Sequence, residues 1–406
     1  MKIAVAQLGA RMHYAVPRIF AGGGCLNRLF TDLYAGKGLC RQLTALPSGL
    51  LPSSIRKLGA RQAANIPGEA ITSFGLLGLR YWSRLRSARS PRDTAIVHLW
   101  AGDELGRLVL KHGLADADTL YTYNSASLRL LQFARQNGIR SLYEQTIAPV
   151  SVELALMQEE QERWPEWETT ADLVQFYGPF LENEQEEWKL ADRIICGSRF
   201  VAEGIENESG PAERIRVVPY GVNFPGAESI ARSHPPGGNR PLRVLTVGTV
   251  CLRKGAPYLA AAARSLRGRA EFRAVGPIAL TEAGSTELRR SVELTGGIPR
   301  SEVAEHFRWA DVFLLPSICE GSATTTYEAL AHGLPVVTTF NSGSPVVNGE
   351  NGFVVPIREV ESIIKSLENL ATDREKLARM SQSAIHHSRS LTVTSYGTRL
   401  MSAIQE

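Results

Sequence analysis

The stretch VFLLPSICEGSATTTYEALAHGLPVV, Val312 to Val337, decides how the chain folds. An apolar run ends at Pro316, and a loop of small residues follows. A helix then begins at Thr324 or Thr325 and is stopped by Gly333 and Pro335. A second apolar run, Pro335–Thr339, starts at once. Strand, loop, helix and strand in that order make one unit of a parallel sheet with crossover helices. The helix start then sits at the carboxyl end of a buried strand, where its free N–H groups and dipole suit a phosphate. Gly321, Ser322 and Ala323 let a ligand approach the backbone, and Thr324 and Thr325 add hydroxyl donors. Glu328 follows one turn on, on the face of Thr324. Its two acceptor oxygens match the two donors of a ribose diol. Glu320 on the loop is placed to hold hydroxyls beyond the phosphates. Both acids also read as carboxylates favoured near a helix N-terminus by about 0.3–1 kcal/mol each.

Upstream, VLTVGTVCLRKGAPYL, Val244 to Leu259, repeats the plan. A strand runs into Gly248, a loop carries Arg253, Lys254 and Gly255, and a helix follows. Two cations at a strand–helix junction can neutralise the charge that grows on a departing diphosphate. An Arg-Lys pair in a loop also reads as ordinary solvated charge.

Strands are expected at Arg243–Val247, Glu271–Val275, Val292–Thr295, Asp311–Leu315, Pro335–Thr339 and Phe353–Val355, and in the first half at Ile3–Leu8, Ala95–Leu99, Thr119–Tyr123, Arg140–Tyr143, Arg193–Cys196 and Ile215–Val218. Helical patterns separate most of them, and a long helical stretch from Glu375 to Glu406 closes the chain. Leu43–Pro91 resists placement, being rich in Gly, Pro, Ser and Arg. Phe224–Pro241 has no periodicity and reads as a linker. With 406 residues the chain suits two α/β domains of roughly 180–220 residues each. The expected class is therefore α/β, with two Rossmann-like doubly wound domains facing across a cleft. Residues 1–223 form the first, 224–241 the linker and 242–385 the second, with a helix over 386–406 packing back toward the first. Ligands in such sheets lie at the carboxyl ends of the strands.

The net charge of +4 is small for this length and demands no nucleic-acid partner. Its distribution is uneven. Lys57 to Arg92 holds seven cations against Glu69, while Glu144 to Lys189 holds twelve carboxylates against Arg163 and Lys189. Both runs read as solvated faces. Cys25, Cys40, Cys196, Cys251 and Cys319 are scattered and odd in number, which fits a reducing cytoplasm and no zinc or disulfide framework. The opening apolar run is too short for a signal peptide before Arg11, and no stretch of about 18 apolar residues occurs. Ile71 to Arg92 mixes Phe74, Leu76, Leu77, Leu79, Tyr81, Trp82 and Leu85 with arginines. It reads either as a helix packing on the sheet or as a peripheral contact with an anionic membrane.

In order and spacing, Gly248, Arg253, Lys254-Gly255, Val275-Gly276, Gly296, Pro316-Ser317, Glu320-Gly321, Glu328-Ala329, Gly333-Leu334-Pro335-Val336-Val337 and Asn351-Gly352 resemble the C-terminal domain of family 4 of the retaining glycosyltransferases, "glycosyl transferases group 1". The resemblance implies the GT-B fold and a hexose transfer from a nucleotide-diphosphate sugar, with no metal and no other cofactor. It implies an envelope or exopolysaccharide role with a sugar or lipid-linked sugar as acceptor. By position, Arg253 and Lys254 would bind the diphosphate and act in catalysis with Glu320. Glu328 would hold the ribose. Glu320 with the amides of Gly321, Ser322, Ala323 and Thr324 would hold the transferred sugar. Gly9 and Gly248 would approach the phosphates, and Gly276 and Ile298 would line the base pocket. Ser322-Ala323 depart from the family's usual residues after Glu-Gly, which leaves the sugar open.

Arg193 to Phe224 resembles the usual end of the family's acceptor domain. Arg11 and His13 are candidates for acceptor or phosphate contact. Many members carry a histidine after a mid-domain strand. Here that stretch is IRSLYEQTIAP, and Glu144 or Gln145 would occupy the space. Asp116-Ala117-Asp118 spells a metal-binding D-x-D, but it precedes a strand and reads as a turn. A same-fold epimerase or hydrolase, or a non-catalytic nucleotide-sugar-binding subunit, are the competing readings. The first would need an acid–base cluster that the sequence does not display.

Overall fold

The computed structural model describes residues 1–37, 59, 61–63, 65–169, 172–223 and 240–406. In the first domain the strands are β1 (Ile3–Gln7), β2 (Leu26–Thr31), β3 (Ile71–Ser73), β4 (Thr119–Tyr123), β5 (Arg140–Gln145), β6 (Arg193–Cys196) and β7 (Ile215–Val217). Between them lie α1 (Ala15–Gly22), α2 (Gly75–Ser87), α3 (Pro91–His112), α4 (Leu128–Gln136), α5 (Val150–Arg163), α6 (Leu173–Leu190) and α7 (Arg199–Asn207). The second domain has β8 (Leu242–Val247), β9 (Ala270–Val275), β10 (Val292–Gly296), β11 (Val312–Leu315), β12 (Val336–Thr339) and β13 (Gly352–Val355). Its helices are α8 (Ala256–Ser265), α9 (Glu282–Arg289), α10 (Arg300–Trp309), α11 (Thr324–Ala331), α12 (Val360–Thr372), α13 (Arg374–Ser388) and α14 (Val393–Gln405).

The strand orders are β3-β2-β1-β4-β5-β6-β7 and β10-β9-β8-β11-β12-β13. Every pairing between these strands is parallel. Each order reverses between neighbours, at β1/β4 and at β8/β11, and those switch points open the crevices in which ligands sit. Helices cover both faces, so β1, β4, β11 and β12 are buried at every residue, and β11, VFLL, is an unbroken apolar run.

Three expectations differ. Ala95–Leu99 is not a strand but part of α3. Ser90 and Asp93 form a capping box ahead of it, with Pro91 at the first helical position, and the burial of Ala95, Leu105 and Val109 follows the helix repeat. The closing stretch is two helices, because Thr392 caps a new one through its side chain and the N–H of Ser395 (3.1 Å). The strand β2, hidden behind the triple glycine, was not expected. Residues 224–239 of the expected linker lie outside the described residues.

The largest apolar cluster runs through both domains and includes Ile3, Val5, Leu245, Phe313, Tyr396 and Leu400. α14 makes this possible by crossing back to the first domain. Its Arg399 donates to the carbonyls of Pro219 and Tyr220 (2.9 and 3.2 Å), and Val222 donates to Leu391 O (2.9 Å). At Gly221 a Cβ would stand 2.2 Å from Thr392 O, so only glycine lets these chains cross.

Candidate functional site

Three neighbouring strands of the second sheet end in glycines that pack on one another. Gly248 donates to Val275 O (2.9 Å) and Gly276 to Gly296 O (3.0 Å). Both have positive φ, and a Cβ on Gly276 would lie 2.1 Å from Gly248 O. The result is a shallow floor of backbone where side chains cannot intrude. From it the chain turns through Leu252–Lys254 into α8. Gly255 closes the turn at φ +76, with room for a Cβ denied by Pro316 O at 2.1 Å.

This turn aims both cations at Glu320. Lys254 Nζ lies 2.6 Å and Arg253 Nη1 3.1 Å from Glu320 Oε1. Arg253 Nη1 also donates to Cys319 O (3.0 Å), and Ile318 N–H donates to Arg253 O (2.8 Å). Burial opposes the charge on Arg253, but Glu320 and Glu153 offset it and raise its pKa further above its ordinary value. The cations are thus held in the groove rather than in open solvent.

Beyond Glu320 the chain enters α11. Its N-cap residue, Ala323, offers no side-chain cap, so the amides of Thr324 and Thr325 have no intrahelical acceptor. Thr325 Oγ1 is buried without a hydrogen-bond partner. Ser322 is committed elsewhere, its Oγ lying 2.7 Å from Tyr327 Oη and donating to Gly343 O (3.1 Å). It therefore offers its backbone, not its hydroxyl. Burial raises the pKa of Glu328, and Arg300 lowers it in part through a 3.2 Å contact. Ile298 is half-buried beside the apolar core, two residues before Arg300.

The first domain meets this groove directly. A Cβ on Gly321 would stand 1.9 Å from Thr146 O, and Ser198 Oγ donates to Gly321 O (2.5 Å). Gly9, after β1, has φ +73, and its N–H donates to Asp32 (2.9 Å). Met12, His13 and Tyr14 follow with φ of 45°, 52° and 59°. Left-handed backbone costs about 1–2 kcal/mol per non-glycine residue, so such a run stores strain at the cleft. It holds His13 Nε2 against an N–H of Arg300. Burial, then the charges of Arg300 and Arg18, lower the His13 pKa and leave that nitrogen free to accept. Arg11 donates to Thr146 Oγ1 (3.1 Å) and lies over the Tyr123 ring.

Glu144 and Gln145 do not face the cleft, contrary to expectation. Glu144 is 1% exposed and accepts from Tyr121 (2.5 Å) and Tyr220 (2.9 Å). Gln145 is enclosed by Tyr143, Trp188 and Glu184. Both belong to the final turn of a strand buried on two sides. Thr146, one residue later, is the one at the cleft, because β5 runs two residues past the expected strand end. Arg300 and Asp32 were also missed. Arg300 opens the helix that follows β10, a strand-end position as well. Asp116 and Asp118 lie at the amino end of β4, the far edge of the sheet, paired with Lys2 and the N-terminus.

On the outer surface, α2 turns Leu77 and Gly78 inward. Leu76, Leu79 and Trp82 are 63%, 58% and 51% exposed, among exposed Arg80, Arg84 and Arg86. Among the described residues no helix is long and apolar enough to cross a membrane.

Residues 241–373 match the family model "Glycosyl transferases group 1". Among curated proteins the chain is similar to a GDP-mannose-dependent alpha-(1-6)-phosphatidylinositol monomannoside mannosyltransferase of Mycolicibacterium smegmatis, 29% identical over 48% of this chain and 57% of that protein. It is likewise similar to the amylovoran biosynthesis glycosyltransferase AmsK of Erwinia amylovora, 29% identical over 40% of this chain and 43% of that one. The chain spans about half the length of the curated relatives it matches. Among solved structures it resembles Anabaena Alr3699/HepE in complex with UDP and glucose, at TM-score 0.59 and 14% identity over 100% of this chain and 99% of that one. It also resembles a sucrose-phosphate synthase of Thermosynechococcus elongatus, at TM-score 0.65 and 16% identity over 100% and 98%. The fold is GT-B.

Proposed function

We propose that this chain, whose residues 241–373 belong to the glycosyl transferases group 1 family, moves a hexose from a nucleoside-diphosphate sugar to an acceptor hydroxyl, with retention and without a metal. The observation that carries the reading is the convergence of Arg253, Lys254 and the uncapped start of α11 on one place, with Glu320 between them. A diphosphate arriving there displaces Glu320 from the two cations and frees its carboxylate for the sugar hydroxyls. Glu328 holds the ribose at the other end, while the glycine floor lets the phosphates lie against backbone. The bond from the anomeric carbon to the phosphate oxygen breaks as the acceptor oxygen bonds on the same face. The acceptor's proton passes to the departing phosphate oxygen, and a nucleoside diphosphate leaves. Arg253, Lys254 and the helix amides stabilise the charge that grows there, and the closed groove supplies orientation.

The acceptor enters from the first domain, where Arg11, His13 and Thr146 line the opposite wall. A lipid-linked sugar suits the exposed Leu76, Leu79 and Trp82 with their flanking arginines, which fit the surface of an anionic bilayer. The relative that acts on phosphatidylinositol monomannoside, as its name states, favours this acceptor class.

Incubation with UDP-, GDP- and ADP-sugars, read by nucleoside diphosphate release with and without EDTA, tests the reading. One base should support release, EDTA should not change it, and the product should keep the donor's anomeric configuration. No release with any donor, loss with EDTA restored by a divalent ion, or an inverted product overturns it.

A further inference from the structure

The acidic run from Glu144 to Lys189 is not simply a solvated face. Part of it leaves the first domain and lies on the second. α5 and the turn after it, residues 150–168, form a strap across the side of the cleft. Met157 and Trp167 are buried in the second domain's core. Glu160 is fully buried and joins Tyr258 of α8 (2.9 and 3.0 Å) to Arg358 (2.6 Å). Trp164 Nε1 donates to the same Tyr258 hydroxyl (3.2 Å). Trp167 O accepts from Thr281 N–H (2.8 Å), and a Cβ on Gly284 would stand 2.9 Å from it. Removing either partner of this buried pair would leave an uncompensated charge between the domains.

The strap ends on the loop that carries the cations. Glu168 Oε1 accepts from Leu252 N–H at 2.5 Å, one residue before Arg253. Leu252 is fully buried, so its amide has no water to turn to. Glu153, on α5 and 7% exposed, stands near enough to Arg253 to influence its charge. The turn Leu252–Lys254 is thus gripped by its own domain through Ile318 and Cys319, and by the other domain through Glu168.

We propose that Glu168 is a positioning residue acting from the opposite domain, fixing the Leu252–Lys254 turn so that Arg253 and Lys254 meet the second phosphate of the donor. This rests on the reading of those cations as diphosphate contacts. Glu168 touches no substrate. Its effect falls on the part of the nucleotide that the turn reaches, and spares the base and ribose, which that reading gives to Gly276, Ile298 and Glu328.

The test is titration of UDP, GDP and ADP, and of the matching monophosphates, into wild type, E168A, E168D and E168Q. For the base that binds, E168A should weaken the diphosphate about tenfold, as expected for one buried hydrogen bond, and leave the monophosphate unchanged. E168D keeps the charge but withdraws the acceptor by one methylene, and should behave alike, which covers a failure of E168A to fold. E168Q keeps an oxygen able to accept and should stay near wild type. Folded E168A or E168D that binds the diphosphate like wild type, or loses both nucleotides equally, overturns the proposal. A wild-type chain that binds no nucleoside diphosphate overturns the donor reading itself, and this proposal with it.

Discussion

At the carboxyl edge of the second sheet, three adjacent strands run into Gly248, Gly276 and Gly296, and the floor of the groove is backbone, with Arg253, Lys254 and Glu320 beside it. At the same edge of the first sheet, the strands end at Gln7, Glu144-Gln145 and Cys196, and the groups that face the groove belong to the loops beyond: Arg11, His13 and Thr146. The folds are alike, but the edges do different work. The second edge takes a ligand part of fixed shape, for which a rigid floor and charges at set positions suffice. The first edge is assembled from segments far apart in the chain. Arg11 and Thr146 are 135 residues apart, and His13 reaches Arg300 across 287. A fixed ligand can be met by adjacent strand–loop–helix units of one sheet, whereas a variable one is met by whatever loops the tertiary fold brings together.

The comparison breaks first at Lys254. K254A should lower turnover by about 10²–10³-fold, because the departing diphosphate loses a charge placed for it, while circular dichroism and melting stay near wild type. A K254A enzyme of normal turnover would place the chemistry elsewhere than in the second domain.

The outer face of the first domain is sharpened by flotation with anionic vesicles. Replacing Arg80, Arg84 and Arg86 together by alanine should reduce vesicle binding on the order of a hundredfold, at about 1 kcal/mol for each cation near the surface. The same variant should turn over a soluble acceptor unchanged. Wild type that fails to float removes the membrane from the reading and leaves α2 as a surface helix.

Glu144 should give the smallest effect on chemistry. Burial raises its pKa, and both tyrosine contacts are internal. E144Q should lower the melting midpoint by about 2–4 °C, as loss of about one buried hydrogen bond does in a domain of this size, and leave turnover near wild type. A large fall in turnover at an unchanged midpoint would return Glu144 to the cleft and make the two edges alike.

The residues that gather around Glu320 were legible as neighbours because each lies within a short unit whose spacing is meaningful. Gly248, Lys254-Gly255 and Glu320 stand at strand ends or helix starts, and the carboxyl ends of the strands in a parallel sheet border the crevice. Glu144 and Gln145 were placed at the cleft by the family resemblance, which has a histidine after this strand, but β5 continues to Gln145, and the pleat turns the two side chains into opposite buried faces. The helix α3 misled because Ile96 and Val97 look like a strand when the capping box before them is passed over.

What the amino-acid order determined by itself was local. It fixed two doubly wound sheets, the glycines at their edges and the cations and acids one loop away, because these follow from periodicity, backbone conformation and helix ends. The folded chain alone decided which distant groups meet. It turned Glu144 inward, set Arg300 between His13 and Glu328, and laid an acidic strap from one domain on the loop of the other that carries Arg253 and Lys254. Contacts of this kind depend on how helices pack on sheets and on where burial leaves a charge without water. Neither is encoded at any fixed spacing along the chain.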